Sequence, residues 1–373
     1  MALSKIDLAN MVENQMSQSL IADNINFRNI IINGDMSLAQ RGTSFSSISS
    51  GNGTYPVDRF RNNMSGAGTW TISQSTTVPT GQGFATSVKY DCTTADGSLA
   101  AGDFLIFQQI VEAQNLQYLK FGTSSAQSLT LSFWVRSNKT GTYIAEFYIA
   151  DTGRSFSKSY TIDSADTWEK KTITFPGDTG GAINNDNGTG LELNFWLAAG
   201  STYSSGSLQT SWGTRVNANM AAGQVNLADS TSNEWYVTGI QLEAGSVASD
   251  FEFLPVDVNE QRCQRYYFKT TESGTATILL TGGLESSTSA GQGGFSLPTK
   301  MRATPSLSFG SGIKLYSAGS GASTASISQN RCTTTVLSCA ATVSGGTVGQ
   351  AGYIYRATSD GFLVGDAELW LFQ

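Results

Sequence analysis

Along most of the chain, apolar and polar residues alternate with a period of two, the signature of strands that bury one face. In "LTLSFWVRS", Leu129, Leu131, Phe133 and Val135 share one face, and Thr130, Ser132, Trp134 and Arg136 share the other. "GTYIAEFYIAD" repeats the pattern, with Tyr143, Ala145, Phe147 and Ile149 set against Ile144, Glu146 and Tyr148. "LELNFWLAAG" places Leu191, Leu193, Phe195 and Leu197 opposite Glu192, Asn194 and Trp196. "RSFSKSYTID", "TWEKKTITFP" and "EWYVTGIQLEAG" continue the series between Gly, Asn and Asp turns. Strands of this length and spacing predict a two-sheet antiparallel sandwich, a jelly roll, over residues 27–254.

The period changes in two places. Over residues 1–26, Leu8, Val12, Met16 and Leu20 recur at i+4 with Met11 beside them, which predicts an amphipathic N-terminal helix. The stripe is not a strict heptad, and so short a helix is marginal by itself. It has to dock on its own body, on sister subunits or on a larger assembly, and these five residues are the candidate anchoring positions. At 255–268, Pro255 opens a second helical pattern that runs through Val258, Gln261, Cys263 and Arg265 into Tyr266, Tyr267 and Phe268. This predicts a short linker helix and a hinge. Over 269–373, runs such as "ATILLTGG", "IKLYSAGS" and "AGYIYRAT" between Gly- and Ser-rich turns predict a smaller C-terminal β-sandwich head. The expected fold is thus all-β: N-terminal helix, jelly-roll β-sandwich, short linker helix, β head.

Composition narrows the function. Charged residues make up 14% of 373 and the net charge is −7, with no Lys/Arg cluster, which argues against a nucleic-acid partner. The first residues carry no apolar core of a secretory signal, and no run approaches the roughly 18 apolar residues of a membrane helix, so neither export signal nor membrane insertion is expected. There is no histidine, which removes the commonest general base, the usual partner of a nucleophilic serine and most zinc sites. No G-x-S-x-G elbow or P-loop occurs. Cys92, Cys263, Cys332 and Cys339 form no C-x-x-C pair and are expected as free thiols; a Cys332–Cys339 bridge needs a turn for which "TTTVLS" supplies no Gly or Pro.

Two sets of oxygen ligands remain. Glu146, Asp151, Asp163, Asp166, Glu169 and Glu192 offer carboxylate pairs for glycoside hydrolysis, though so many acids on so many strands read better as solvated faces. "PGDTGGAINNDNGTG" brings Asp178, Asn184, Asn185, Asp186 and Asn187 together, but the spacing is not that of a calcium loop, and an Asn/Gly turn cluster accounts for it. The expectation is no metal, no cofactor and no catalysis. A different feature points to binding: Trp134, Tyr148 and Trp196, with Arg136 nearby in pattern, fall opposite the apolar faces of their strands. Such rings are either covered by loops or a neighbouring subunit, or they stack on sugars while polar neighbours take the hydroxyls.

The block "RNIIINGDMSLAQRGTSF" followed by "YPVDRF" resembles the start of virion structural and tail fibre proteins of tailed bacteriophages, many of them marine or cyanobacterial phages. "FWVRSNKTGTY", "TWEKKTITFPGDT", "VTGIQLEAGSVASDFEF" and "NEQRCQRYYFK" extend the resemblance, and "FSLPTKMRATPSLSF" looks like the entry to a fibre head domain. The resemblance implies a carbohydrate-binding-module-like jelly roll and a small β head, commonly a homotrimer on the virion, where other virion proteins and host-surface polysaccharide are the partners. It implies no site residue. In this frame Ile30, Ile31 and Ile32 read as the first strand, Asn33-Gly34 as a turn, and the preceding helix as the particle anchor.

Overall fold

The computed structural model describes residues 27–270, 277–287, 290–310, 313–317, 321–323, 326–342, 351–356 and 363–369. The expected N-terminal helix, with Leu8, Met11, Val12, Met16 and Leu20, lies outside the described residues. The alternating runs form strands: β1 (Ser44–Val57), β2 (Phe60–Ser75), β3 (Ser87–Thr94), β4 (Phe104–Glu112), β5 (Leu129–Ser137), β6 (Gly141–Ile149), β7 (Arg154–Ile162), β8 (Glu169–Phe175), β9 (Thr189–Ala199), β10 (Gly213–Thr214) and β11 (Glu234–Ala244). Their antiparallel order is β10-β7-β6-β9-β4-β2-β3-β11-β5-β8, with β1 paired on β2.

One continuous hydrogen-bonded path makes two facing sheets because β2 turns a corner. Phe60–Ser65 pair with β4, whereas Thr69–Ser75 pair with β3. Between them Gly66, Ala67 and Gly68 all take left-handed conformations, φ 60°, 60° and 79°. Three such residues in succession swing the strand from one sheet to the other; Gly66 and Gly68 take this conformation without penalty, and Ala67 between them is held in it by the fold. The folded-over sheets bury the predicted apolar faces: Leu129, Leu131, Phe133 and Val135 of β5 and Leu191, Leu193, Phe195 and Leu197 of β9 are all fully buried. Phe133 meets Phe195 edge-on at 5.0 Å, so the inner faces of β5 and β9 oppose each other. The result is an all-β jelly-roll-like sandwich.

The segment Ile30–Ile32 departs from the expectation. It is buried but irregular, not a first strand. Its backbone groups are satisfied one at a time: Ile30 N–H donates to Leu242 O, Ile31 N–H to Asn29 Oδ1, and Ile32 N–H to Gln109 Oε1. The Gln109 amide in turn donates to Ile32 O. Asn33 and Met36 sit at φ 60°, which breaks any strand repeat. A run of three isoleucines signals burial, and burial without a free edge to pair with produces this plug across the end of the sandwich.

The second helical pattern is realised as Val256–Gln264, shorter than 255–268. Tyr267–Lys269 instead form β12 and pair with β21 (Leu363–Asp366), next to β15 (Ser306–Phe309). The other C-terminal strands are β13 (Thr277–Ser287), β14 (Ala290–Ser296), β16 (Ile313–Ser317), β17 (Gly321–Ser323), β18 (Ser326–Gln329), β19 (Val336–Thr342) and β20 (Ala351–Arg356). They form a sheet of order β17-β16-β20-β13-β14-β19-β18. Cys332 and Cys339 are both free.

The segment expected as a hinge is packed against the sandwich. Cys263 and Tyr266 are buried with Ile32, Ile110 and Leu369. Arg265 makes a two-pronged pair with Glu112, 2.7 Å on each arm. Glu368 faces Arg59 and Arg41, and Arg41 also reaches Asp366 at 3.1 Å. These contacts fasten the C-terminal strands to the end of the sandwich.

Candidate functional site

Because side chains alternate on a strand, the outer face of β2, β4, β9 and β6 carries the residues that the apolar pattern leaves over. That face is polar and laddered. Arg61 Nε donates to Gln108 Oε1 at 2.8 Å, and Gln108 Nε2 donates to Asn194 Oδ1 at 2.9 Å and Glu192 Oε2 at 3.2 Å. Asn194 Nδ2 donates to Glu146 Oε2 at 3.3 Å. The row ends at Arg215, from the loop after β10, whose guanidinium grips Glu146 at 2.9 and 3.1 Å and lies 4.3 Å from the Tyr148 ring centroid. Above this floor is a groove of ≈210 Å³ whose rim holds Asn63, Phe104, Tyr203 and Asn217. Phe104 and Tyr203 are half-buried and meet edge-on at 5.4 Å.

The floor is not fully satisfied. Both terminal nitrogens of Arg61 and Glu192 Oε1 are buried without a partner among the described residues. Burial pushes the Glu192 carboxyl up to about 7; Arg215 and Arg61 pull against that, and Glu146 adds to it. Near neutrality Glu192 therefore exchanges between an acid that donates and a carboxylate that only accepts. Glu146 differs: Arg215, Trp196 and Asn194 occupy both of its oxygens. Of the six candidate carboxylates Glu192 alone lines this groove, with Oε1 unpaired among the described residues; Glu146 lies buried beneath it, held by these partners. Asp166 pairs with Arg136, Asp163 and Glu169 with Lys171, and Asp151 accepts from Asn184.

The four candidate stacking residues do not form one site. Trp196 is 1% exposed, packed beneath Tyr203 and Met220, and its indole N–H donates to Glu146 Oε2 at 3.0 Å. It is no platform; the loop carrying Tyr203 and Met220 covers it. Tyr148 is half-buried beside it, under Arg215. Trp134 and Arg136 are on the other sheet and point the opposite way, since Phe133 and Phe195 occupy the space between. Arg136 is spent on Asp166, whose carboxylate and backbone oxygens it holds at 2.9 Å each. The alternation marked the outer faces but not that they belong to two sides. Tyr203, Arg215 and Asn217 come from a loop with no periodic pattern and carry no sequence signal. Arg61 and Gln108 are each followed by a polar residue, Asn62 and Gln109, so period two does not single them out either.

The oxygen-rich loop holds its ligands in internal bonds. Asp178 pairs with Arg154 at 2.6 Å, and Asp186 accepts from Gly188 N–H at 2.8 Å. Among the described residues no three acidic or cysteine side chains converge as metal ligands, and no helix is long and apolar enough to cross a membrane.

No protein-family model matches the sequence, and no curated protein matches it. Among solved structures, the chain is similar to the enzymatically active domain of tailspike protein 4 of bacteriophage CBA120, at 16% identity and a TM-score of 0.30, over 58% of this chain and 21% of that one. It is also similar to TmCBM61 in complex with β-1,4-galactotriose (12%, TM-score 0.28, 58% of this chain, 99% of that one). A family 11 carbohydrate-binding module from Clostridium thermocellum, in complex with a mixed-linked tetrasaccharide, aligns at 13% with a TM-score of 0.26 over 56% of this chain and 99% of that one.

Proposed function

We propose that this chain is a virion structural protein of a tailed phage, a tail fibre or similar appendage, and that the groove across β2, β4, β9 and β6 holds a carbohydrate of the host surface. In this reading the N-terminal segment, with its Leu8–Leu20 stripe, attaches the protein to other virion proteins, and the protein acts as a homotrimer that binds without catalysis. One observation carries the binding reading: Glu192, with a carboxylate oxygen unpaired among the described residues, and the Arg215 guanidinium line the same groove. A sugar hydroxyl is a single group that both donates and accepts, so it answers a carboxylate and a guanidinium together. Half-buried Phe104 and Tyr203 supply apolar surface for the ring above, while Asn63 and Asn217 reach the remaining hydroxyls. Binding rather than hydrolysis is favoured because Glu146 is saturated, which leaves one carboxylate where two are needed.

The test is a glycan array probed with the purified full-length chain, followed by titration of the bound glycans. Asn63→Ala, Asn217→Ala and Tyr203→Ala should each weaken binding by about tenfold, roughly 1.4 kcal/mol, with the unfolding midpoint held. An array without signal, or three variants with unchanged affinity, overturns the reading. New reducing ends from the bound polysaccharide would make the protein a depolymerase. Imaging the particle with the chain on the capsid would make it a decoration protein.

A further inference from the structure

We propose that a cleft on the opposite outer face, floored by Trp134, is a second carbohydrate subsite, so that one chain holds polysaccharide on two sides. This rests on the glycan-binding reading above and adds a site to it. The cleft measures ≈270 Å³ and is lined by Gln82, Ser132, Trp134, Lys170, Asp250 and Phe253. Its position follows from the fold: Trp134 pairs across to Thr238 on β11 and to Lys170 on the edge strand β8, one strand in from the end of the outer face. Its wall is built in advance. Phe84, Phe251 and Phe253 pack on one another at 4.8–5.1 Å. Gly239 lets Phe84 in: it sits at φ 62°, and a Cβ there would lie 2.5 Å from the Phe84 ring.

The chemistry of the lining selects the ligand. The Ser132 hydroxyl, the Trp134 indole N–H and the Lys170 ammonium make no hydrogen bond or ion pair among the described residues, although Ser132 is only 4% exposed. Gln82 and Asp250 add a carboxamide and a carboxylate at the rim. Phe253 is 50% exposed and Trp134 half-buried, so two aromatic surfaces border the same space. A pyranose fits this mixture, with its apolar face on the rings and its hydroxyls on donors and acceptors of both signs. An apolar peptide would strip water from those groups and give nothing back. Two subsites on opposed faces cannot both serve one straight stretch of polymer. They bridge separate strands, and each raises the effective concentration of polymer at the other.

The experiment titrates the full-length chain with cellotetraose, galactotetraose and mannotetraose in turn by calorimetry, with sedimentation of each variant alongside. For a tetraose that binds, the expected stoichiometry is two per chain, falling to one in Trp134→Ala and in Lys170→Ala, with Asn217→Ala weakening the other site alone. One site per chain, lost in Asn217→Ala and untouched in Trp134→Ala, overturns the second subsite and leaves the groove reading standing. One site lost in Trp134→Ala and untouched in Asn217→Ala sinks the groove instead. A change of oligomeric mass in Trp134→Ala makes the cleft a contact between copies, and no binding of any tetraose defeats both sites; either overturns the proposal.

Discussion

The Arg59 guanidinium lies over the Tyr266 ring, 3.3 Å from its centroid, and so joins the first hairpin of the sandwich to the end of the Val256–Gln264 helix. The charge beneath it is balanced by Glu368, whose side chain is 1% exposed and which also faces Arg41 at 3.4 Å. Arg59 donates as well to Ile110 O at 2.6 Å. Removing one member of a buried ion pair leaves the other charged and desolvated, at a cost of about 3–5 kcal/mol. Glu368→Gln should therefore lower stability by at least about 3 kcal/mol, measured by urea unfolding. A loss below about 1 kcal/mol would mean the C-terminal strands are not held through this pair.

Glu192 makes stability depend on pH in an unusual direction. Its carboxyl is raised to about 7 in the folded chain from an ordinary value of 4.5, chiefly by burial. Between those two values the folded state keeps a proton that the unfolded chain releases, so stability falls as pH rises through this window and levels off above it. Glu192→Gln removes the group and should flatten the decline. Unfolding midpoints at pH 5 and pH 8 check this. An equal decline in wild type and variant would assign the dependence to other groups.

The sheet faces were legible because burial on one side imposes a period of two, and Leu129, Phe133, Leu193 and Phe195 obey it. The sequence was silent wherever backbone groups are satisfied by side chains instead of a ladder. Ile30–Ile32 has a strand's composition, yet Asn29 and Gln109 take its hydrogen bonds. Trp196 shows a second limit: period two gives a side, not what lies above it, and the cover comes from the aperiodic loop that also brings Arg215. The candidate rings thus marked both outer faces, while the partners that turn one face into a groove come from the aperiodic loop that carries Tyr203, Arg215 and Asn217, or from distant strands.

The corner in β2 should be intolerant of a single methyl. Gly68 sits at φ 79°, and a Cβ there would lie 2.4 Å from the Thr94 backbone oxygen. Gly68→Ala meets both a disfavoured conformation and a backbone clash, neither of which a side-chain rotation relieves. The expected loss is about 2 kcal/mol or more. Gly97→Ala makes the control, since nothing lies within 4 Å of a Cβ there. Similar unfolding midpoints for the two variants would remove the corner as the reason for these glycines.

Trp196→Phe separates a ring that is stacked upon from one that holds the floor together. Phenylalanine keeps an aromatic face but cannot donate to Glu146 Oε2, the bond now 3.0 Å long. Glu146 is fully buried and orients Arg215 from beneath, so losing this donor weakens a charge-assisted bond worth about 1.5–3 kcal/mol. The variant should lose stability by about that amount in urea, and it should lose glycan affinity along with it as Arg215 and Tyr148 shift. If Trp196→Phe instead keeps full stability and full affinity, the indole N–H is dispensable. In that case the polar ladder from Arg61 to Arg215 does not act as one unit.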